Sequence, residues 1–367
     1  MNKEVKVVIG ANYGDEGKGL VSYCLSRKAI SKEHRVLNVF YNGGCQRAHT
    51  SHGVVHHCTG AGTSVGADTY YNEWFVVDPI AVWLEKAEVY VHPKCRVVLP
   101  CDVINNRQKE LTRGSNKHGS CGMGIFEAVK RNTEPKFAML YKDTLENNLY
   151  DELIRIEKQY GYPNDLVYNN DNFLRACLWM WANCRMVYDE KTLFNRYDTI
   201  IFEGGQGLLL DQIHHTLSGD IHTTPSSPGI RNCLDNINAL GIAPELYYIS
   251  RGYMTRHGAG SMECECGKNL INKLIVDETN QPNPWQDNLR FGRLKQETLH
   301  ERVLHDAIEG ALNLGSKNPS VNLVFTQLNY TNGQIAGPGG KNEDIIFPDF
   351  VDHIYVSDQK DEMEMWK

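Results

Sequence analysis

A glycine-rich loop between a predicted strand and a predicted helix constrains this chain more than any other feature. The run Val5–Gly10 is short, β-branched and ends in glycine, which is typical of a buried strand. The loop that follows reads GDEGKG over Gly14–Gly19, and Leu20–Ala29 has the spacing of a helix. A second strand is predicted at Arg35–Tyr41. A strand, loop, helix and strand in this order begin an α/β sheet.

The pattern along the rest of the chain extends this sheet. We predict a single α/β domain over residues 1–367, with a mostly parallel central sheet flanked by helices, as in P-loop nucleotide hydrolases. A helical lobe is predicted within residues 145–190. The further predicted strands are Val89–Val91, Val97–Leu99, Thr199–Phe202, Glu245–Ile249 and Asn322–Phe325, and the predicted helices are Pro79–Ala87, Leu145–Tyr160, Phe173–Val187 and Leu299–Leu314.

Composition and charge exclude several classes of protein. The net charge of -7 argues against broad nucleic-acid binding, because such binding usually needs a basic face. No apolar run approaches the ~20 residues of a membrane helix, and no apolar signal-peptide stretch follows Met1. We therefore expect a cytoplasmic protein with no nucleic-acid or membrane partner. The 11 cysteines lack the spacing of a zinc site and are expected to be free thiols.

The loop Gly14–Gly19 has the composition of a phosphate-binding loop. Glycines let backbone N–H groups approach an anion, and the following helix directs its positive end towards it. The loop differs from the standard GxxxxGK motif followed by Ser or Thr, because Gly19 replaces the hydroxyl. Asp15 and Glu16 are unusual there, since carboxylates repel phosphate unless they hold Mg²⁺ or accept a proton. The alternative is a glycine-rich turn with solvated charges.

A second loop, Gly43–Thr50, follows the second predicted strand and contains His49. A single histidine in a turn can be structural. If the two strands pair, however, their loops are neighbours at the edge of the sheet where α/β proteins bind ligands. This placement makes His49 a candidate catalytic residue.

Five segments resemble motifs of the adenylosuccinate synthetase family, in the same order along the chain. The first is Tyr13 followed by an intact GDEGKG. The others resemble GGxNAGHT, GTTGRGIG, EGAQGxxLD and TRVGAGP, and they are Gly43–Thr50, Gly119–Ile125, Glu203–Asp211 and Thr255–Gly260. Five collinear motifs make this resemblance specific.

The resemblance implies a carbon–nitrogen ligase that joins L-aspartate to C6 of a purine nucleoside monophosphate while splitting a nucleoside triphosphate. O6 is phosphorylated first, because phosphate leaves readily when the aspartate amine attacks C6. By similarity, Asp15 removes the N1 proton and, with the Ala48 carbonyl, holds Mg²⁺, while His49 stabilises charge on the transferred phosphoryl group. The implied triphosphate contacts are Tyr13, Gly14, Glu16, Gly17, Lys18, Gly19 and Thr50.

The resemblance also implies pockets for the other two substrates. Arg131 is expected to reach the monophosphate across the interface of a homodimer; the alternative is an exposed charge at a helix end. The other implied monophosphate contacts are Ser120, Cys121, Gln206, Thr223 and Thr224. The implied L-aspartate contacts are Asn288, Arg290 and Arg293, although one family arginine falls on Gly292.

The segment that reads the base of the triphosphate departs from the family pattern TKxD. Here Thr326–Asn329 ends in an amide, which offers one acceptor and one donor group and fits an adenine edge better than a guanine edge. Gln327 and Asn329 therefore predict ATP or dATP as phosphoryl donor.

The sequence pattern resembles the phage branch of the family, and it also has archaeal-like features. Enzymes of that branch use dGMP as substrate and lead to 2-aminoadenine in DNA. A member encoded by a phage would work in the host cytoplasm.

Two alternatives remain open at this point. Several members of the phage branch replace the loop aspartate by serine, whereas this chain keeps Asp15. An ordinary synthetase that uses IMP with GTP or ATP is therefore the alternative ligase. A non-catalytic nucleotide-binding module would explain the glycine-rich loops but gives no reason for Asp15 and His49 together.

Overall fold

The computed structural model describes most of the chain. The described residues are 3–45, 48–51, 53–162, 169–211, 227–276, 285, 288–315, 318–358 and 362–365. Thr223 and Thr224 lie outside these ranges.

Helices and strands are interspersed along the described part of the chain. The α-helices are α1 (Lys18–Ile30), α2 (Pro79–Glu85), α3 (Pro100–Arg113), α4 (Ile125–Arg131), α5 (Leu149–Gln159), α6 (Asn170–Asn183), α7 (Glu190–Phe194), α8 (Leu234–Leu240) and α9 (Gln296–Asn313). The strands are β1 (Glu4–Gly10), β2 (Val36–Phe40), β3 (His49–Ser51), β4 (Val54–His56), β5 (Asp68–Tyr71), β6 (Val76–Val77), β7 (Tyr90–Val91), β8 (Arg96–Val97), β9 (Arg185–Met186), β10 (Thr199–Gly207), β11 (Glu245–Arg251), β12 (Met254–Arg256), β13 (Glu265–Cys266), β14 (Arg290–Gly292), β15 (Ser320–Thr326), β16 (Ile335–Ala336), β17 (Asn342–Glu343), β18 (His353–Val356) and β19 (Glu364–Met365).

A single large sheet dominates the described part of the chain. Its strand order is β19-β18-β15-β11-β1-β10-β2-β5-β7-β9. Strand β19 at one edge pairs antiparallel with β18, and the other neighbours in this order are parallel. The predicted α/β class with a mostly parallel sheet is confirmed.

Strand β1 shows why this sheet needs helices on both faces. Val5, Val7 and Ile9 point to one face and join a core with residues of α7, α8 and α9. Val8 points to the opposite face and packs with Val21 of α1. Alternate residues of a strand face opposite sides, so a continuous apolar run is stable only when both sides are covered.

The condition that the first two predicted strands pair is not met. β1 and β2 are not paired, because β10 lies between them and pairs in parallel with both. Glu203 of β10 aligns with Val8 on one side and with Phe40 on the other. The glycine-rich loop and the His49 loop still leave the same edge of the sheet, but the end of β10 separates them.

Two helices lie within residues 145–190, the range of the predicted helical lobe, and one predicted helix end is wrong. α5 and α6 lie in the predicted region and share a core with Val82 of α2. α6 ends at Asn183, however, and the next residues form β9 instead of continuing the helix to Val187. The Arg185 N–H donates to the Val89 carbonyl at 2.9 Å, so pairing with a distant strand ends the helix. None of the helices in the described ranges is long and apolar enough to cross a membrane.

Asp306 of α9 is a buried carboxyl that joins three elements of this core. It accepts hydrogen bonds from the Ile230 N–H at 3.2 Å and from the Tyr248 hydroxyl at 2.8 Å. Burial raises the pKa of Asp306 to about 7. An aspartate in the unfolded chain loses its proton near pH 4. Folding therefore favours the protonated form, and this contribution to stability is lost as the pH rises from about 4 to about 7.

We expect Asp306→Asn to flatten this pH dependence, because an amide keeps the shape of the side chain without its charge. Urea unfolding at pH 5 and pH 8 should show that the wild type loses more stability over this interval than the variant, by at least ~1 kcal/mol. Parallel pH dependences of the two proteins would contradict the raised pKa of Asp306.

Candidate active site

The loop after β1 is tightly wound, and two of its charged side chains are buried. Gly14, Asp15 and Gly17 all have positive φ, with Asp15 at 57°. The Glu16 side chain turns inward, where its Oε1 accepts the Asn12 N–H at 2.5 Å. Its Oε2 lies 3.6 Å from Nζ of Lys18. The alternative of a turn with solvated charges therefore does not hold for Glu16 or Lys18.

Close packing explains the glycine that ends β1. A Cβ atom on Gly10 would lie 2.2 Å from Oε2 of Glu16 and 3.0 Å from Nζ of Lys18. Burial also raises the pKa of Glu16, although the Lys18 ammonium opposes this shift. Gly10 thus leaves room for an ion pair beneath the loop.

Residues from distant elements fix the backbone of the loop. Arg302 of α9 donates to the Ala11 carbonyl at 2.8 Å and to Oδ1 of Asn12 at 2.6 Å. Arg251 donates to the Asp15 carbonyl at 2.5 Å, and Thr326 donates to the Glu16 carbonyl at 2.7 Å. No sequence pattern singles out Arg302 or Arg251, because neither lies in a loop or has unusual spacing.

His49 is held by a carboxylate from the strand that separates the two loops. Its Nδ1 lies 2.7 Å from Oε1 of Glu203, which is fully buried. The other oxygen of Glu203 accepts the Ala61 N–H at 3.1 Å. A carboxylate at Nδ1 fixes the orientation of the ring and directs Nε2 away from Glu203. Glu203 belongs to a recognised motif, but its contact with His49 depends on the strand order.

The other sequence motifs meet beside the glycine-rich loop. The Tyr13 ring lies 4.5 Å from the Arg256 guanidinium, and its hydroxyl donates to the Ser261 carbonyl at 3.1 Å. The Ala259 N–H donates to the His118 carbonyl at 2.9 Å, which joins the third and fifth motifs. Ends of parallel strands and their loops thus bring residues from five motifs together at one edge of the sheet.

The predicted monophosphate contacts lie in different surroundings. Ser120 accepts a hydrogen bond from Nδ2 of Asn106 at 2.9 Å. Cys121 follows it, and burial raises the pKa of this thiol. Gln206 is half-buried at the end of β10.

Arg131 lies where neither interpretation of the sequence placed it. It is fully buried, and its Nε and Nη2 bind the two carboxylate oxygens of Asp102 at 3.1 and 2.9 Å. Nη1 donates to the Phe137 carbonyl at 2.7 Å, and Nη2 also donates to the Val97 carbonyl at 2.8 Å. A guanidinium with every nitrogen bound inside its own chain neither crosses a subunit interface nor stands as an exposed helix-end charge.

The two arginines predicted to hold L-aspartate are also engaged. Arg290 forms a bidentate pair with Glu265 at 2.8 and 2.5 Å and donates to the Gly258 carbonyl at 2.8 Å. Arg293 donates to the Leu270 carbonyl at 2.5 Å. Asn288, in contrast, is exposed. A substrate carboxylate at Arg290 would have to displace Glu265.

The segment predicted to read the base of the triphosphate lies next to the glycine-rich loop. A Cβ atom on Gly17 would lie 3.1 Å from Cγ2 of Thr326, the last residue of β15. Gln327 follows with a φ of 60°, and Asn329 is exposed in the short turn Leu328–Tyr330.

The oxygen atoms at the loop suit a hard divalent cation that keeps several waters. The Asp15 side chain is 29% exposed, and Ala48 carries a backbone carbonyl next to His49. Within the described residues, no group of three or more His, Cys, Asp or Glu forms a closed metal cage. The described residues thus supply few of the oxygen ligands that Mg²⁺ needs, and the others would come from water and substrate phosphates.

Comparison with known proteins assigns the chain to a family. A family model described as adenylosuccinate synthetase matches residues 7–281, which is well over half of the chain. The chain belongs to the adenylosuccinate synthetase family. The family match includes the glycine-rich loop and His49, but it ends before Arg290, Arg293 and Asn329.

Relatives in this family are distant in sequence. The adenylosuccinate synthetase of Psychrobacter arcticus is 27% identical over 296 residues, which are 72% of this chain and 66% of that protein. That of Acaryochloris marina is 24% identical over 290 residues, covering 71% of this chain and 62% of that protein. The chain thus matches just under two thirds of the length of these relatives.

Two solved structures share the fold at 18% sequence identity. The fully ligated adenylosuccinate synthetase of Plasmodium falciparum has a TM-score of 0.67 and covers 100% of this chain and 87% of that chain. The succinoaminodeoxyadenylate synthetase of cyanophage S-2L, bound to dGMP and to dATP as an energy donor, has a TM-score of 0.56, with 90% and 86% covered.

We expect Arg131→Met to destabilise the protein by about 3–5 kcal/mol, because it leaves the Asp102 carboxylate buried without its partner. Urea unfolding checks this loss. Arg155→Met is the matched control, since both Arg155 and its partner Glu152, 2.8 Å away, are about a third exposed, and the pair should contribute less than about 1 kcal/mol. Equal stability of Arg131→Met and the wild type would contradict a structural role for Arg131.

Proposed function

We propose that this protein is a ligase that joins L-aspartate to C6 of a 6-oxopurine nucleoside monophosphate. The observation that carries the proposal is the placement of Asp15 in a phosphate-type loop at the sheet edge that also holds His49 on Glu203. A nucleotide-binding module without catalysis needs the loop, but it does not need an imidazole oriented by a buried carboxylate.

The proposed reaction has two steps. Asp15 takes the N1 proton of the purine, and O6 then attacks the γ-phosphorus of the nucleoside triphosphate and releases the diphosphate. The amine of L-aspartate next attacks C6, phosphate leaves with the former O6, and the amine gives up a proton. Burial of both nucleotides at one sheet edge would align O6 with the γ-phosphoryl group, which lowers the entropic cost of the transfer.

His49 would stabilise charge in the transferred group. With Nδ1 donating to Glu203, a protonated imidazole directs its second N–H towards the ligand. Lys18 and the backbone N–H groups of the loop would contact the triphosphate.

Asp15 and the Ala48 carbonyl would hold Mg²⁺, and the chemistry that the ion would supply is neutralisation of charge on the triphosphate. Tyr13, Gly14, Glu16, Gly17, Gly19 and Thr50 complete the proposed triphosphate site. Glu16 would act from beneath the loop through its hydrogen bond to Asn12.

We propose dGMP as the preferred monophosphate, with 2-amino-2′-deoxyadenylosuccinate as the product. Resemblance to the phage pattern supports this choice, and the cyanophage structure of similar fold contains dGMP. Ser120, Cys121, Gln206, Thr223 and Thr224 are its proposed contacts. IMP is the alternative, because Asp15 is kept and both purines carry an N1 proton and a 6-oxo group.

We propose ATP or dATP as the phosphoryl donor. Thr326 binds the glycine-rich loop, so the turn that carries Gln327 and Asn329 lies beside the proposed triphosphate site. The exposed amide of Asn329 has both a donor and an acceptor to offer an adenine edge.

The assignment of the third substrate and the assembly also remain proposals. Asn288, Arg290 and Arg293 are the proposed L-aspartate contacts, and Arg290 would exchange Glu265 for the substrate carboxylate. A cytoplasmic homodimer is proposed from the family resemblance. Arg131 gives this homodimer no support, since it is bound within its own chain.

A substrate matrix tests the reaction and its substrates together. IMP, GMP and dGMP are each combined with ATP, dATP and GTP in the presence of L-aspartate and Mg²⁺, and aspartate-dependent phosphate release is measured. We expect release with dGMP and an adenine donor, and its loss in Asp15→Ala. Asp171→Ala, an exposed carboxylate at the start of α6, is the control.

The outcomes of this matrix separate the alternatives. Release with IMP and none with dGMP rejects the preferred monophosphate, and release only with GTP rejects the adenine donor. Nucleotide binding without any release identifies a binding module instead of a ligase.

Glu203→Gln should lower kcat by about tenfold to a hundredfold with little change in the KM values. His49 and Ala61 face different oxygens of the carboxylate, and the NH₂ group that replaces one of them in the amide cannot accept a hydrogen bond. Steady-state kinetics measure the effect. Glu190→Gln is the control, because Glu190 also bridges two donors, Tyr70 and Asn236, but away from the loop. An unchanged kcat in Glu203→Gln would reject the proposed role of the His49–Glu203 pair.

A further inference from the structure

His257 departs from the family motif that its segment resembles. The segment reads TRHGAG over Thr255–Gly260, where the motif has valine in place of the histidine. The substitution puts a polar ring, which can donate a hydrogen bond, at a position that the motif fills with an aliphatic side chain. The contacts of this ring therefore show what the histidine adds at this position.

The ring of His257 faces the proposed catalytic base. Its Nε2 lies 3.6 Å from Oδ2 of Asp15, within ion-pair range but longer than a hydrogen bond. Among the described residues, no other cationic group lies in ion-pair range of the Asp15 carboxylate. Nδ1 of the ring is buried and has no hydrogen-bond partner in the described part of the chain.

Packing alone does not explain a histidine at this position. A buried ring nitrogen without a partner costs free energy, whereas the valine of the motif carries no such atom. The compensating interaction is on the other side of the ring, where a carboxylate faces Nε2. Since a ring nitrogen that faces an acceptor is the favoured site for a hydrogen, Nε2 carries a hydrogen and points it at Asp15.

The backbone that carries His257 is held in place. The Ala259 N–H donates to the His118 carbonyl at 2.9 Å, and Arg290 donates to the carbonyls of Gly258 and Gly260, each at 2.8 Å. Gly258 has a φ of 76°, and a Cβ atom there would lie 2.7 Å from the His118 carbonyl oxygen. The ring therefore starts from a rigid position.

The backbone of Asp15 is equally constrained, whereas its carboxylate is not. A φ of 57° is unusual for a residue with a side chain, and Arg251 holds the Asp15 carbonyl. The side chain is 29% exposed and can rotate about its own bonds. A hydrogen-bond donor at one oxygen would reduce this freedom. That oxygen keeps a second lone pair for the proposed Mg²⁺, and the other oxygen remains for the substrate.

We propose that His257 is a positioning residue that donates its Nε2 hydrogen to Oδ2 of Asp15 and so orients the other carboxylate oxygen towards the N1 proton of the purine. A small rotation of either side chain converts the 3.6 Å approach into a hydrogen bond, as catalytic contacts often tighten when substrate binds. This inference rests on the proposed function, because Asp15 acts as the base only in that reaction.

Two substitutions at the same position separate positioning from packing. His257→Val restores the residue of the motif and removes the donor. His257→Gln keeps an N–H group at nearly the reach of Nε2. We expect His257→Val to lower kcat about tenfold or more, with the KM values for monophosphate and triphosphate within about twofold. His257→Gln should keep kcat within about threefold of the wild type.

Control variants at His34 and a measurement of thermal unfolding distinguish a loss of catalysis from misfolding. His34 lies before β2, at the opposite end of the sheet, where its Nδ1 is 2.8 Å from the Thr199 hydroxyl. His34→Val and His34→Gln should leave kcat unchanged. Thermal unfolding of all four variants is measured beside the kinetics.

Each remaining outcome has a definite meaning. A wild type without aspartate-dependent phosphate release rejects the proposed function, and this inference with it. An active wild type with an unaffected His257→Val rejects the inference alone. Equal losses in the Val and Gln variants, or a loss expressed in KM or accompanied by lowered thermal stability, show that His257 acts through packing, and this too overturns the proposal.

Discussion

Four hydrogen bonds of Asn12 hold the glycine-rich loop, and the geometry of the site depends on them. Its N–H donates to Glu16 at 2.5 Å, its carbonyl accepts the Leu209 N–H at 2.9 Å, and its amide joins Ser250 at 2.9 Å and Arg302 at 2.6 Å. These partners come from the loop itself, the end of β10, the end of β11 and helix α9. A buried amide with all its groups satisfied specifies one arrangement of these elements.

The insertion of β10 between β1 and β2 has a direct chemical consequence. Parallel strands end at the same edge, so the strand between the two loops brings its own side chain into the site. That side chain is Glu203, which is fully buried and binds His49. If β1 and β2 were neighbours, the histidine would face the loop without an intervening carboxylate.

Arginine side chains in this protein are used largely to hold the chain itself. Arg131, Arg251, Arg290 and Arg302 all donate to carbonyl or carboxylate oxygens of the described residues. The guanidinium group has five donors in a planar arrangement, which suits several oxygens of irregular loops at once. In the proposed reaction, anionic substrates would therefore meet Lys18, backbone N–H groups and those arginines that can exchange a protein partner for a ligand.

The sequence by itself determined the start of the sheet, the phosphate-type loop and the family, because these depend on short runs of neighbouring residues. Val5–Gly10 and the GDEGKG loop are local patterns, and the structure has them as a strand and a tightly wound loop. Only the tertiary structure decided that Arg131 is buried on Asp102 and that Glu203 and His257 face His49 and Asp15. These contacts join residues far apart in the chain, and they depend on strand order and side-chain direction, for which local sequence patterns carry no information.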